Sequence, residues 1–129
     1  MTERNYLTRN AKKIKSIITA SQCDGFIEAK ITLTDKFQFS KLSPAQYKDL
    51  FSKEVIVYKM TDMSMGKKPS DYFASSEKFL LIVFYKEKST KIIIIHTSRM
   101  DKRMIGSWTY DELQVLPECW YSETKKYEV

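Results

Sequence analysis

The chain has 129 residues, a hydrophobic fraction of 43%, and a formal net charge of +6 from 22 Lys and Arg against 16 Asp and Glu. A chain of this length can bury roughly two-thirds of its unfolded surface without covalent staples, and its apolar content excludes the composition of a disordered segment. Only three Gly and three Pro are present, too few for a turn-rich repetitive all-β fold, so one domain of mixed α and β structure is expected over 1–129.

Cys23 and Cys119 have no Cys or His close by in sequence, which excludes a CxxC or zinc-finger arrangement and makes reduced thiols the expectation. No apolar run approaches the roughly 18–20 residues that cross a bilayer, and Met1–Asn5 leads into a polar segment rather than a signal-peptide core, so a cytoplasmic chain without membrane contact is expected. The positive charge favours an acidic partner, a polyanion or an anionic surface, and does not choose among them.

Leu7, Ala11, Ile14 and Ile18 recur at spacings of one helical face, with Arg9, Lys12, Lys13 and Ser16 on the other side. This predicts a helix over 5–20, closed by Gly25 in a positive-φ turn. From Ile27 the period changes to two. Ile27, Ala29, Ile31 and Leu33 alternate with Glu28, Lys30, Thr32 and Thr34, the pattern of a half-buried strand. Thr34-Asp35-Lys36 reads either as a tight turn into a second strand at Phe37 and Phe39 or as a bend within one long strand.

Ser43-Pro44-Ala45-Gln46 is a capping box with Pro at the first helical position, and predicts a helix to about Ser52. Val55–Tyr58 has strand composition. The stretch 61–76 breaks every period, reads as a mobile loop with one helical turn near Asp71–Phe73, and carries Met63, Met65, Tyr72 and Phe73. Two apolar runs follow, Phe79–Tyr85 and Ile92–His96. Their β-branched and aromatic content predicts a hairpin from Phe79 to Thr97, and apolar residues on both alternating faces predict strands covered on both sides. Thr109-Tyr110-Asp111-Glu112 is a second capping box, for a short helix to about Leu116, and the tail from Glu123 reads as loose.

Three constellations carry candidate chemistry. Glu28-Ala29-Lys30 places a carboxylate and an ammonium on one strand face, as metal-dependent nucleases do, and equally fits ordinary charge alternation on an exposed strand. His96 closes an apolar strand just before Arg99 and Lys102, where an imidazole serves as an acid or base, or as a buried hydrogen-bonded residue. Basic residues gather on the first helix (Arg9, Lys12, Lys13) and around the hairpin (Lys86, Lys88, Lys91, Arg99, Lys102, Arg103), with Tyr85, Trp108 and Tyr110 as candidate stacking surfaces. The alternative for such lysines is a solvated face that guards a hairpin tip against edge pairing.

Met63, Met65, Tyr72 and Phe73 form a candidate protein-binding group, since thioethers adapt to varied partners. No phosphate-binding glycine loop, nucleophile elbow or dinucleotide fingerprint is present, and no cofactor or metal is expected. The fold expectation is therefore α+β, a mainly antiparallel sheet centred on the Phe79–Thr97 hairpin and packed by the N-terminal helix and the Ser43 helix. The function expectation is a small basic accessory protein docking on nucleic acid or a nucleic-acid-associated protein. Its small size and Lys and Ile richness resemble accessory proteins of viruses and mobile elements. A protein-interaction module or homodimer acting through the 61–76 loop or a sheet edge, and a small nuclease, are the alternatives.

Overall fold

The two apolar runs near the middle of the chain set the architecture. The computed structural model describes residues 11–21, 25–52, 54–59, 72–75, 77–86, 89–97, 105–115 and 119–126. In chain order the elements are α1 (Ala11–Ser21), β1 (Phe26–Thr32), β2 (Lys36–Gln38), a 3₁₀ turn (Phe39–Lys41), α2 (Pro44–Phe51), β3 (Ile56–Lys59), β4 (Tyr72–Ser75), β5 (Lys78–Lys86), β6 (Ser89–His96), β7 (Ser107–Thr109), α3 (Tyr110–Gln114) and β8 (Cys119–Lys126). The fold is α+β, with a four-stranded sheet in the order β1-β5-β6-β8 and two short ribbons, β2 with β7 and β3 with β4.

β5 and β6 are the central strands, and their alternating side chains feed two separate cores. Phe79, Leu81, Val83, Ile92 and Ile94 pack against Ile14, Ile17 and Ile18 of α1. Leu80, Ile82, Phe84, Ile93 and Ile95 face the opposite way, onto Phe37, Phe39, Leu50, Phe51, Tyr110 and Leu113. A sheet covered on both faces explains why the strands are apolar at every position from Phe79 to Phe84 and from Ile92 to Ile95. β1 continues the alternation, with Ile27, Ala29 and Ile31 on the α1 side.

Both capping boxes form. In α2 the Gln46 amide donates to Ser43 Oγ at 3.1 Å and the Ser43 amide donates to Gln46 Oε1 at 3.0 Å. In α3 the corresponding distances between Thr109 and Glu112 are 3.2 and 3.0 Å. The C-terminal end of α2, where carbonyls are left over, is closed by the first residue of β5 and the residue that follows β6. The Lys78 ammonium donates to Ser52 O at 2.7 Å, and the Thr97 hydroxyl donates to Leu50 O at 2.7 Å. Both side chains are buried, and a cation there also opposes the negative end of the helix dipole.

The sheet is mainly antiparallel, as expected, at β5–β6 and β6–β8, and β1 joins it parallel to β5. Several local expectations are corrected. Tyr72 and Phe73 are strand rather than helical turn, because Tyr72–Ser75 forms β4, in register with Ile56–Lys59, while 61–71 and 76 of the expected loop lie outside the described residues. Glu123–Lys126 belong to β8 and pair along β6, so the chain from Glu123 to Lys126 is strand rather than loose tail. Thr34-Asp35-Lys36 proves to be a bend between strands. Thr32 and Thr34 hydroxyls donate to Lys36 O at 2.8 and 2.9 Å, and β2 leaves the main sheet to pair with β7.

Gly25 is needed for closeness and not for a positive φ, which among the described glycines belongs to Gly106. A Cβ at Gly25 would stand 2.4 Å from Glu77 O, the carbonyl that accepts the first β1–β5 hydrogen bond from the Phe26 amide. Gly25→Ala is therefore expected to part the start of that parallel pair and to destabilise the fold by about 1–3 kcal/mol, measured by urea denaturation.

Candidate functional site

Strand alternation brings the hairpin tip and two distant bends together. Phe84 and Lys86 of β5, with Ser89 and Lys91 of β6, project onto the α2 side of the sheet, because Phe84 pairs with Lys91 and Lys86 with Ser89. The β2–β7 ribbon carries the Thr34–Asp35 bend and the start of α3 to the same place. Between them lies an open cleft of about 440 Å³, lined by Thr34, Asp35, Phe84, Lys86, Ser89, Lys91, Thr109, Tyr110 and Asp111.

The floor of this cleft is aromatic and the rim is charged. Phe84 meets Tyr110 edge-on at 6.0 Å, and Lys91 Nζ sits 5.5 Å above the Tyr110 ring. Two lysines, Lys86 and Lys91, and two aspartates, Asp35 and Asp111, line the same cleft. The hydroxyls of Thr34 and Thr109 are already engaged, with Lys36 O and the Glu112 amide. Beside the cleft, the amide and hydroxyl of Thr109 hold the Glu112 carboxyl below its usual range, with Lys36 adding to the effect. A mixed rim of this kind suits a ligand with both an anionic group and hydrogen-bond donors.

Glu28 and Lys30 also come together, but in a different setting. Both are half-buried under α2, with Glu28 Oε1 accepting from Gln46 Nε2 at 2.8 Å and lying 3.7 Å from Lys30 Nζ. Burial raises the Glu28 pKa and the Asp49 charge adds to this, while Lys30 pulls it down. Among the described residues no three His, Cys, Asp or Glu side chains gather as a metal site would require.

His96 is buried at the end of β6, edge-on to Phe79 at 4.9 Å, and its Nε2 bonds the Glu77 carboxylate. Glu77 also receives the Phe26 amide on its carbonyl. The pair thus ties the end of β6 to the start of β5, beside the first β1 contact.

The basic residues do not form one continuous surface. Lys12 and Lys13 are exposed on α1, which covers the opposite face of the sheet from Lys86 and Lys91. Arg9, Lys88, Arg99, Lys102, Arg103, Met63 and Met65 lie outside the described residues, while Tyr72 and Phe73 stand in β4 opposite Lys59 and Tyr58. Of the three aromatics expected to stack on bases, Tyr110 is buried and Trp108 packs on the core with its Nε1 donating to Ile105 O. Tyr85 packs on the α1 side.

The residues that complete the cleft, Thr34, Asp35, Phe84, Ser89, Thr109 and Asp111, carry no site signal in the sequence. The signal that unites them is the β2–β7 pairing of Phe37 with Trp108, and neither three-residue strand announces its partner. No described helix is long and apolar enough to cross a membrane. No protein-family model matches the chain, and neither the curated proteins nor the solved structures contain a significant match to it.

Proposed function

We propose that this chain is a small basic accessory protein, of the kind viruses and mobile elements carry, that docks on nucleic acid through the cleft at its hairpin tip. The observation that supports the reading is a cleft lined by both Lys86 and Lys91 together with Asp35 and Asp111. The two ammonium groups suit a backbone phosphate, and the carboxylates suit the amino edge of a base or a sugar hydroxyl. A site of this size takes a nucleotide or two of a single strand rather than the side of a duplex.

Lys86→Glu with Lys91→Glu is expected to weaken binding of single-stranded DNA and RNA by at least about tenfold at low salt. The same pair should reduce the slope of log K against log salt by about 1.4, from two lost phosphate contacts at ~0.7 each. Lys12→Glu with Lys13→Glu, on the other face of the sheet, should change it less. Filter binding across a salt series measures all three proteins. An unchanged affinity and slope in the Lys86, Lys91 variant would remove this reading. The alternative of a protein-interaction module is favoured by one observation, the outward backbone of β1.

A further inference from the structure

β1 is an end strand of the four-stranded sheet, and among the described residues no strand pairs with its outer side. The direction of its backbone groups follows from the register. In a parallel pair, a residue whose amide bonds its neighbour strand also turns its carbonyl to that strand, and the next residue turns both away. The Phe26 amide donates to Glu77 O, so Phe26, Glu28, Lys30 and Thr32 face β5. Ile27, Ala29 and Ile31 therefore present their amides and carbonyls outward. One of these groups, Ile31 O, accepts from Lys41 Nζ at 3.1 Å, the kind of lysine that guards an exposed edge.

The sequence of this edge, Phe-Ile-Glu-Ala-Lys-Ile-Thr, is complementary to its own reverse. We infer that β1 is a homodimer interface, pairing antiparallel with β1 of a second copy about a two-fold axis at Ala29. In that register Ala29 faces Ala29 of the second copy, and Ile27 faces Ile31 of the second copy. These are the residues whose backbone points outward, so each meets a partner able to exchange both hydrogen bonds.

Glu28 then faces Lys30 of the second copy, twice by symmetry, at the non-bonded positions where side chains approach most closely. The neighbouring two-fold registers, centred on Glu28 or on Lys30, set like charges opposite one another and are disfavoured. The isoleucine pairs lie on the α1 face, the charged pairs on the α2 face, and the two sheets join into one of eight strands. Lys41 gives up Ile31 O to the Ile27 amide of the second copy.

Sedimentation equilibrium at protein concentrations up to about 100 µM should give a mass of twice 15.2 kDa. Glu28→Lys alone, or Lys30→Glu alone, places two like-charged pairs across the axis and should weaken the dimer by about tenfold or more. The double swap Glu28→Lys with Lys30→Glu restores opposite charges and should recover the wild-type affinity to within about threefold. Amide exchange on the unmodified protein provides the readout that does not depend on a variant folding. Protection of Ile27, Ala29 and Ile31 should rise with concentration, while Glu28 and Lys30, already bonded to β5, should not change. A monomer throughout, or a dimer indifferent to the swaps with Ala29 unprotected, overturns the inference.

Discussion

Phe37→Ala is expected to remove about 3–5 kcal/mol of stability, the usual result of truncating a fully buried phenylalanine. The Phe37 ring is inaccessible to solvent, meets Phe39 edge-on at 5.2 Å, and belongs to the core that Leu80, Ile82, Ile93 and Ile95 build under α2. It is also the middle residue of β2, opposite Trp108, so its loss loosens the ribbon that carries the Thr34–Asp35 side of the cleft. A domain of this size has about 5–15 kcal/mol to lose. Urea denaturation should show the midpoint falling steeply with little change in slope, and Phe37→Leu, which keeps most of the volume, should cost under about 1.5 kcal/mol.

The second large effect is at Lys78. Its side chain is fully buried, its ammonium reaches Ser52 O, and Asp49 and Glu54 lie near enough to favour its charge, although burial outweighs them and pushes its pKa down. Lys78→Glu would place an unpaired carboxylate against the carbonyl end of α2 and beside those two acids, and is expected to cost at least about 3–5 kcal/mol. Lys78→Met keeps the length of the side chain and leaves Ser52 O without its donor, a loss of about 1–3 kcal/mol.

The same residue gives a pH dependence of definite sign. With the native pKa below the ordinary value of 10.5, the unfolded chain holds the Lys78 proton more tightly than the folded one. Stability from this group therefore rises with pH between the lowered native value and 10.5. Thermal or urea unfolding of wild type and Lys78→Met, compared over alkaline pH, should show the wild type gaining relative to the variant; a parallel or falling difference contradicts the assignment.

The role of Lys78 is not legible in the sequence: the side chain closes a helix through a residue twenty-six positions earlier, and no local pattern carries that contact. Features determined by near neighbours were readable: the Ser43 and Thr109 capping boxes, the isoleucine face of α1, and the double-sided burial of β5 and β6. Features determined by distant pairing were not. β8 is polar through most of its length and, among the described residues, pairs with β6 alone, so it lacks the apolar run that identified the central strands. For the cleft, the lysines were legible as a basic hairpin tip, whereas their acidic counterparts Asp35 and Asp111 arrive by way of the β2–β7 ribbon.

The parallel pairing of β1 with β5 bears on the order in which the molecule assembles. The hairpin closes between Lys86 and Ser89, three residues apart, while Phe26 must find Lys78 across the whole stretch that holds β2, α2, β3 and β4. Loop closure of that length is slow to be repaid by contacts, so the hairpin is the natural nucleus and β1 a late arrival. During synthesis the N-terminal strand leaves the ribosome first and then waits for its neighbour. Throughout that wait it is a strand segment with both edges open, and Lys41, which caps Ile31 O in the folded chain, is placed to blunt the outer one.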